Sequence, residues 1–266
     1  MIKPLFGFTT NPFAKDIDSK KIYMSASMKE LFSRLEYMQQ TRGLMLLTGE
    51  PGVGKTIAIR AFIESLNPSM YYCMYIPLST VSNADFYRQL CFQLTGEYSY
   101  RKAACFHNIQ SAITDLVKNN KKVPLIVVDE CHLLKPENLY EIQIILNFDL
   151  DSTDPVIFIM IGQTHLRDVL SRQVHRALNQ RFSLKYALQP LDKTEAREYL
   201  LHHLKVAGCK NNIFNDAAID AIYSNAMGNP REMGSLAWKA IMVAAAEKKQ
   251  IVTEEDVYCV SKELRQ

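Results

Sequence analysis

The stretch "LLTGEPGVGKTIAIRAF" (46–62) runs from an apolar segment through a glycine-rich loop into a helical pattern. Within it, "GEPGVGKT" (49–56) fits the spacing G-x-x-x-x-G-K-[ST]. Glycines in such a loop let successive backbone N–H groups converge on phosphate oxygens with no Cβ in the way. The helix that follows adds the partial positive charge of its N-terminus. The expected cradle is Gly49, Glu50, Pro51, Gly52, Val53, Gly54, Lys55, Thr56 and Ile57. Lys55 is expected to bridge the β- and γ-phosphates of ATP, and the Thr56 hydroxyl to bind Mg²⁺.

A loop of this kind needs a carboxylate from a second strand to hold the metal. "VPLIVVDE" (123–130) offers one where an apolar run ends. Asp129 is read as the second Mg²⁺ residue, acting through water, and Glu130 as the group that polarises the attacking water. The additional Glu points to hydrolysis rather than nucleotide storage. "DECH" (129–132) also resembles a motif of two-lobed helicases, but those enzymes need a second lobe carrying arginines, and the C-terminal third here reads as helical. His132 is therefore read as a residue at the strand end.

Apolar, β-branched runs at 44–48, 71–78, 123–129, 156–162 and 182–188 suit strands buried on both faces of a parallel sheet. Helical patterns lie between them, which gives β-α-β-α alternation. Ser27 and Glu30 have the spacing of a capping box for a helix near 28–40. From Asp192 onward the pattern holds helices only, at about 192–206, 216–226, 231–247 and 254–264. The expected organisation is an α/β nucleotide-binding domain over 1–190 and a helical lid over 191–266.

Hydrophobic residues at 48% and charged ones at 22% match an ordinary soluble domain, and a net charge of +3 is too mild to argue for nucleic acid alone. Six cysteines without a CxxC pair read as reduced thiols of a cytoplasmic protein, which supports neither a disulfide framework nor a zinc site. No signal-peptide core or membrane-length apolar run is found, so no membrane is expected.

An α/β nucleotide domain with a helical lid is the plan of an AAA+ module, whose remaining parts can be sought singly. A polar residue ending the strand beside 123–129 would sense the γ-phosphate: Gln163, with Thr164 as the alternative. An arginine reaching a neighbour's nucleotide would be Arg181, ahead of Arg172 and Arg176, and implies a homo-oligomer. From the lid, Arg231 follows Pro230 at a helix start and would meet the phosphates.

"FGFTTNPF", "YMSASMKELFSRL", "LTGEPGVGKT", "VVDECHLLKPENL", "IGQTHLRDVL", "NQRF" and "GNPRE" together resemble the ExeA-type branch of AAA+ ATPases, near the TnsC, TniB and MuB regulators of DNA transposition. The resemblance spans nearly the whole chain. It implies a parallel sheet of order 5-1-4-3-2, with ATP and Mg²⁺ held between subunits of a ring or helical filament. Residues 1–26 would form an adenine-proximal segment with Asn11, Pro12 and Phe13 as its candidates.

The resemblance further implies duplex DNA bound without sequence preference near "LSTVSNADF" (78–86) and "GEYSYRKAACF" (96–106). The contacting residues would be Asn83, Ser99, Tyr100, Arg101 and Lys102, and the partner a DDE-type transposase. "KNNKK" (118–122) is read as a solvated helix end. ExeA itself continues into a membrane span and a cell-wall-binding domain that these 266 residues lack. The transposition regulators are therefore the preferred relatives. A secretion or envelope-assembly ATPase is the alternative, and a nucleotide-gated switch with little turnover is a third.

Overall fold

The computed structural model describes residues 5–14, 17–77, 82–148, 153–209 and 211–263. The last residue of the expected strand 71–78 and the start of the segment 78–86 lie outside them. Among the described residues five strands are formed: β1 Gly43–Thr48, β2 Tyr71–Pro77, β3 Val123–Asp129, β4 Ile157–Gly162 and β5 Phe182–Ala187. They make one parallel sheet of order β2-β3-β4-β1-β5, which is the order the family resemblance implies.

The central strands β1, β3 and β4 read as nearly continuous apolar runs because both faces of the sheet are covered there. Leu44, Leu46, Ile126, Val128, Phe158 and Met160 enter one core cluster. Their alternate neighbours Met45, Leu47, Leu125, Val127, Ile157, Ile159 and Ile161, which the pleat turns to the other face, are fully buried as well. β2 and β5 are the edges, and they alone mix buried with exposed positions.

The helices are α1 Ala26–Thr41, α2 Lys55–Ser65, α3 Asn83–Thr95, α4 Lys102–Lys118, α5 Pro136–Ile145, α6 Leu166–Ser171, α7 Arg176–Arg181, α8 Lys193–Val206, α9 Asp216–Ala226, α10 Pro230–Ala246 and α11 Glu254–Glu263. Among the described residues, no helix is long and apolar enough to cross a membrane. The α1 cap differs from expectation. Ser25 Oγ accepts the Met28 N–H at 3.1 Å, while Ser27 lies inside the first turn and accepts from Gln189 N at 3.0 Å. Glu30 turns instead to Arg34, at 2.8 Å.

The chain forms two compact units. One contains residues 30–50 and 58–188, and hence the whole sheet. The other gathers residues from three places, 1–29, 51–57 and 189–266. Its core joins Leu200, Leu204, Ile219, Ile222, Leu236 and Ile241 to Phe6 and Phe8 from the N-terminal segment. Asp192 and Glu195 form a reciprocal capping box that starts α8, and Asn215 and Asn229 cap α9 and α10.

In the sheet unit a polar cluster ties three helices together. Tyr87 on α3 donates to Glu141 of α5 at 2.7 Å, and Lys102 of α4 pairs with the same carboxylate while lying 5.2 Å over the Tyr87 ring. Glu141 is buried, so its loss leaves a buried phenol without its acceptor. Glu141→Ala is expected to cost about 2–3 kcal/mol in urea denaturation, against less than about 0.5 kcal/mol for an exposed control such as Glu36→Ala. Equal midpoints for the two variants would contradict this role.

Candidate nucleotide site

β1 ends at a buried Thr48, whose carbonyl accepts Leu188 N at 2.8 Å, so the strand end is anchored. Beyond it the loop turns through Gly52 at φ 91° and Gly54 at φ 107°, backbone conformations that residues with a Cβ rarely adopt. α2 opens at Lys55 and buries Ala58, Ile59, Ala61 and Phe62, which fixes the axis of its N-terminus. Lys55 is half-buried and Thr56 exposed in that first turn. Strand, left-handed glycine turn and helix N-terminus are the local geometry a phosphate cradle requires.

The C-terminal edge of the sheet collects the acidic groups. Asp129 is buried, and both its oxygens are engaged: Oδ1 accepts the Glu130 N–H at 2.7 Å and Oδ2 the Tyr75 hydroxyl at 2.6 Å. Burial, then the hydrogen bond to Asp129, holds the Tyr75 phenol well above its ordinary pKa, so it stays a donor across the neutral range. Glu130 has φ 55° and ψ 34°, a left-handed conformation uncommon for a residue other than glycine. That turn carries its side chain into solvent, with Oε2 3.3 Å from His132 Nδ1. His132 in turn packs edge-on against His165, with ring centroids 5.2 Å apart. It links Glu130 to the segment after β4 rather than merely ending a strand.

β4 pairs with β1 so that Gly162 stands opposite Thr48. Of the two candidates that follow, Thr164 donates its hydroxyl to Glu50 in the glycine loop, whereas Gln163 is half-buried and starts the next turn by accepting Leu166 N at 3.0 Å. Glu50, Asp129, Glu130, His132 and Thr164 therefore converge at one edge. Among the described residues no group of three or more His, Cys, Asp or Glu could hold a metal. A lone buried carboxylate with hydroxyls nearby fits Mg²⁺, which keeps several waters and takes few protein ligands.

Arg181 lies at the opposite end of the sheet, just before the pairing of Phe182 with Leu44. A strand of six residues separates the two ends by roughly 20 Å. Its guanidinium donates to the carbonyls of Gln143 at 2.7 Å and Leu146 at 3.1 Å, at the C-terminus of α5, where the helix dipole favours a cation. Arg172 and Arg176 are exposed.

In the second unit, Arg231 is exposed at the second position of α10. Phe13 stacks on His203 of α8 at 5.6 Å. Asn11 holds the turn by accepting Phe13 N at 2.9 Å, and the Pro12 carbonyl is 2.8 Å from His203 Nδ1. Burial lowers the His203 pKa to about 4 from 6.5. The unfolded chain therefore takes up this proton first, and stability is fully present above about pH 6.5 and lost as pH falls toward 4, by up to about 3 kcal/mol. His203→Gln is expected to show a shallower loss over that window in pH-resolved urea denaturation. Parallel curves would contradict the assignment.

The model of an AAA domain matches residues 38–170, half of the chain and the span from α1 through β4 to α6. The chain belongs to the AAA-domain family. "General secretion pathway protein A" of Aeromonas hydrophila is 29% identical over 263 residues, which cover 97% of this chain and 47% of that protein. The chain thus spans about half the length of the curated relative it matches. Drosophila ORC bound to DNA shares the fold with a TM-score of 0.74 at 17% identity, over 100% of this chain and 66% of that one. Cdc6p from Pyrobaculum aerophilum gives 0.72 at 15% identity, over 95% and 70%. At such identities the likeness is one of fold.

The segments expected to contact DNA lie before and within α3 and between α3 and α4. Residues 78–81 lie outside the described residues, and Asn83 opens α3. Between α3 and α4 the loop exposes Tyr98 and Tyr100, and Tyr98 stacks on Phe92 with centroids 4.2 Å apart. Ser99 offers its carbonyl to Cys105 Sγ at 3.3 Å, and Arg101 is exposed at the cap of α4. Lys102 is drawn back to Glu141, a partner 39 residues away that local composition does not reveal. Tyr75, the Thr164–Glu50 contact and Asn229 went unread in the sequence. For Tyr75 the signal was available: on a strand, it points to the same side as the residue opposite Asp129.

Proposed function

We propose that this AAA chain is a Mg²⁺-dependent ATPase that assembles as a homo-oligomer on duplex DNA and regulates target selection by a DDE-type transposase. The observation that carries the ATPase reading is the convergence of Asp129, Glu130, Glu50 and Thr164 at the sheet edge where the glycine loop begins. In this reading the loop amides and Lys55 bind the phosphates, Thr56 and Asp129 hold the metal, and Glu130 orients the attacking water. Mg²⁺, when bound, neutralises charge on the phosphate oxygens. Gln163 or Thr164 senses the γ-phosphate. Arg231 reaches it from the helical lid of residues 191–266, and Phe13 borders the adenine.

Arg181 is assigned to the neighbouring subunit's nucleotide. Its anchorage on the α5 carbonyls holds the guanidinium in one orientation at the far edge of its own sheet. Two N–H contacts to separate carbonyls restrict a flexible side chain and lower the entropy cost of presenting it to a partner.

Support for DNA comes from the resemblance to transposition regulators and from the exposed Arg101, Tyr98 and Tyr100. With Lys102 paired internally, affinity would rest on few phosphate contacts per subunit, multiplied by assembly along the duplex. The match over 97% of this chain to a secretion-pathway protein favours a second reading, an ATPase acting with a secretion or envelope partner.

Glu130→Gln is expected to bind ATP, to lose about 100-fold or more of its turnover and to form longer-lived assemblies on duplex DNA in sedimentation. Unchanged turnover removes Glu130 from the chemistry. Wild-type turnover that ignores added duplex removes the DNA reading and leaves the secretion-type one.

A further inference from the structure

The second unit contains a connection between lid and loop that neither motif accounts for. Asn229, the residue before α10, divides its side chain between two tasks. Its Oδ1 accepts the backbone N–H of Arg231 at 3.1 Å and of Glu232 at 3.4 Å, capping the helix. Its Nδ2 donates to the carbonyl of Pro51, inside the glycine loop, at 2.7 Å. The Arg231 N–H also lies 3.3 Å from the Gly52 carbonyl. One amide thus touches the loop backbone with one end and the residue carrying the guanidinium with the other.

Gly52 records the same closeness from the loop side. It is not one of the two glycines that the G-x-x-x-x-G-K-[ST] spacing requires. A Cβ there would stand 2.5 Å from Asn229 Oδ1 and 2.9 Å from Arg231 Cβ, so the approach of α10 leaves room only for glycine. A helix cap alone needs no amide, because Ser, Thr or Asp caps as well or nearly so. What Asn adds is the donor, and that donor goes to the loop.

We propose that Asn229 is a positioning residue that sets Arg231 against the phosphate loop, so that nucleotide affinity depends on the Asn229–Pro51 hydrogen bond. The proposal rests on the reading of the loop as the ATP site and of Arg231 as a phosphate contact. Rigidity at both ends of the amide places the first turn of α10 before any ligand arrives, which spares that ordering cost on binding. Asn229 acts through Arg231 and need not touch the phosphates itself.

The test uses the full chain and a fluorescent ATP analogue. Asn229→Asp keeps the capping oxygen and replaces the donor with a second acceptor facing Pro51 O. Its melting temperature is expected to stay within about 2 °C of wild type, since the cap is retained. Its affinity for the analogue is expected to fall about five- to tenfold. Asn229→Ser, a cap without the amide, should behave the same way and serves if the aspartate variant is unstable. Arg231→Ala should weaken binding comparably, and the double variant Asn229→Asp/Arg231→Ala should be no weaker than Arg231→Ala alone.

Full affinity in both stable Asn229 variants overturns the proposal, as does a double variant whose losses multiply, since Asn229 would then not act through Arg231. If wild type itself fails to bind the analogue, the ATP reading falls and takes this inference with it. Wild-type binding with unaffected variants discards the inference alone.

Discussion

The loop between β1 and α2 is the constraint on which the rest depends. Its backbone must turn through positive φ at Gly52 and Gly54 while the strand before it and the helix after it stay fixed. Both anchors are core elements: β1 is buried along its whole length, and α2 buries one side through Ile59 and Phe62. Burying apolar area of this kind supplies the free energy that holds a left-handed turn in place, at roughly 2 kcal/mol for each large side chain. A turn of this kind is the backbone form in which successive amides can converge on an anion.

A second concentration of strain lies at the end of β3. Glu130 takes a left-handed conformation without the freedom of glycine, and the 2.7 Å bond from its own N–H to Asp129 helps hold it there. Such a conformation costs on the order of 1 kcal/mol and is retained where the surroundings fix it. Here it directs Glu130 outward while Asp129 stays buried under the Tyr75 hydroxyl. Two adjacent carboxylates thereby acquire different environments, one locked and one solvated. That division suits the proposed roles of metal holding and water orientation.

The fold was readable where burial is two-sided. The central strands β1, β3 and β4 were marked by nearly continuous apolar runs, whereas the edge strand β5 is broken by Ser183 and Lys185, and Pro230 marked a helix start. Of the candidate site, the local backbone geometry was readable where chemistry dictates residue type, as in the glycine loop and at the end of β3. Reading failed where a partner is distant in sequence. Ser27 had the spacing of a cap, but Glu195 takes the Ala26 N–H at 2.7 Å, and Ser25 does the capping. Lys102 was read as a DNA contact, and its pairing with Glu141 could not be seen from its neighbours in sequence. Asn229 drew no reading of its own within GNPRE, because only the folded chain shows Pro51 beside it.

The central claim is that the glycine loop seats a triphosphate, with Lys55 supplying its main side-chain charge. Equilibrium dialysis of labelled ATP with Mg²⁺ against wild type and Lys55→Ala addresses it directly. The account predicts one site per wild-type chain and an affinity at least about tenfold weaker in the folded variant, the loss expected for a charged contact. Equal binding by the two proteins, or none by the wild type, would contradict it.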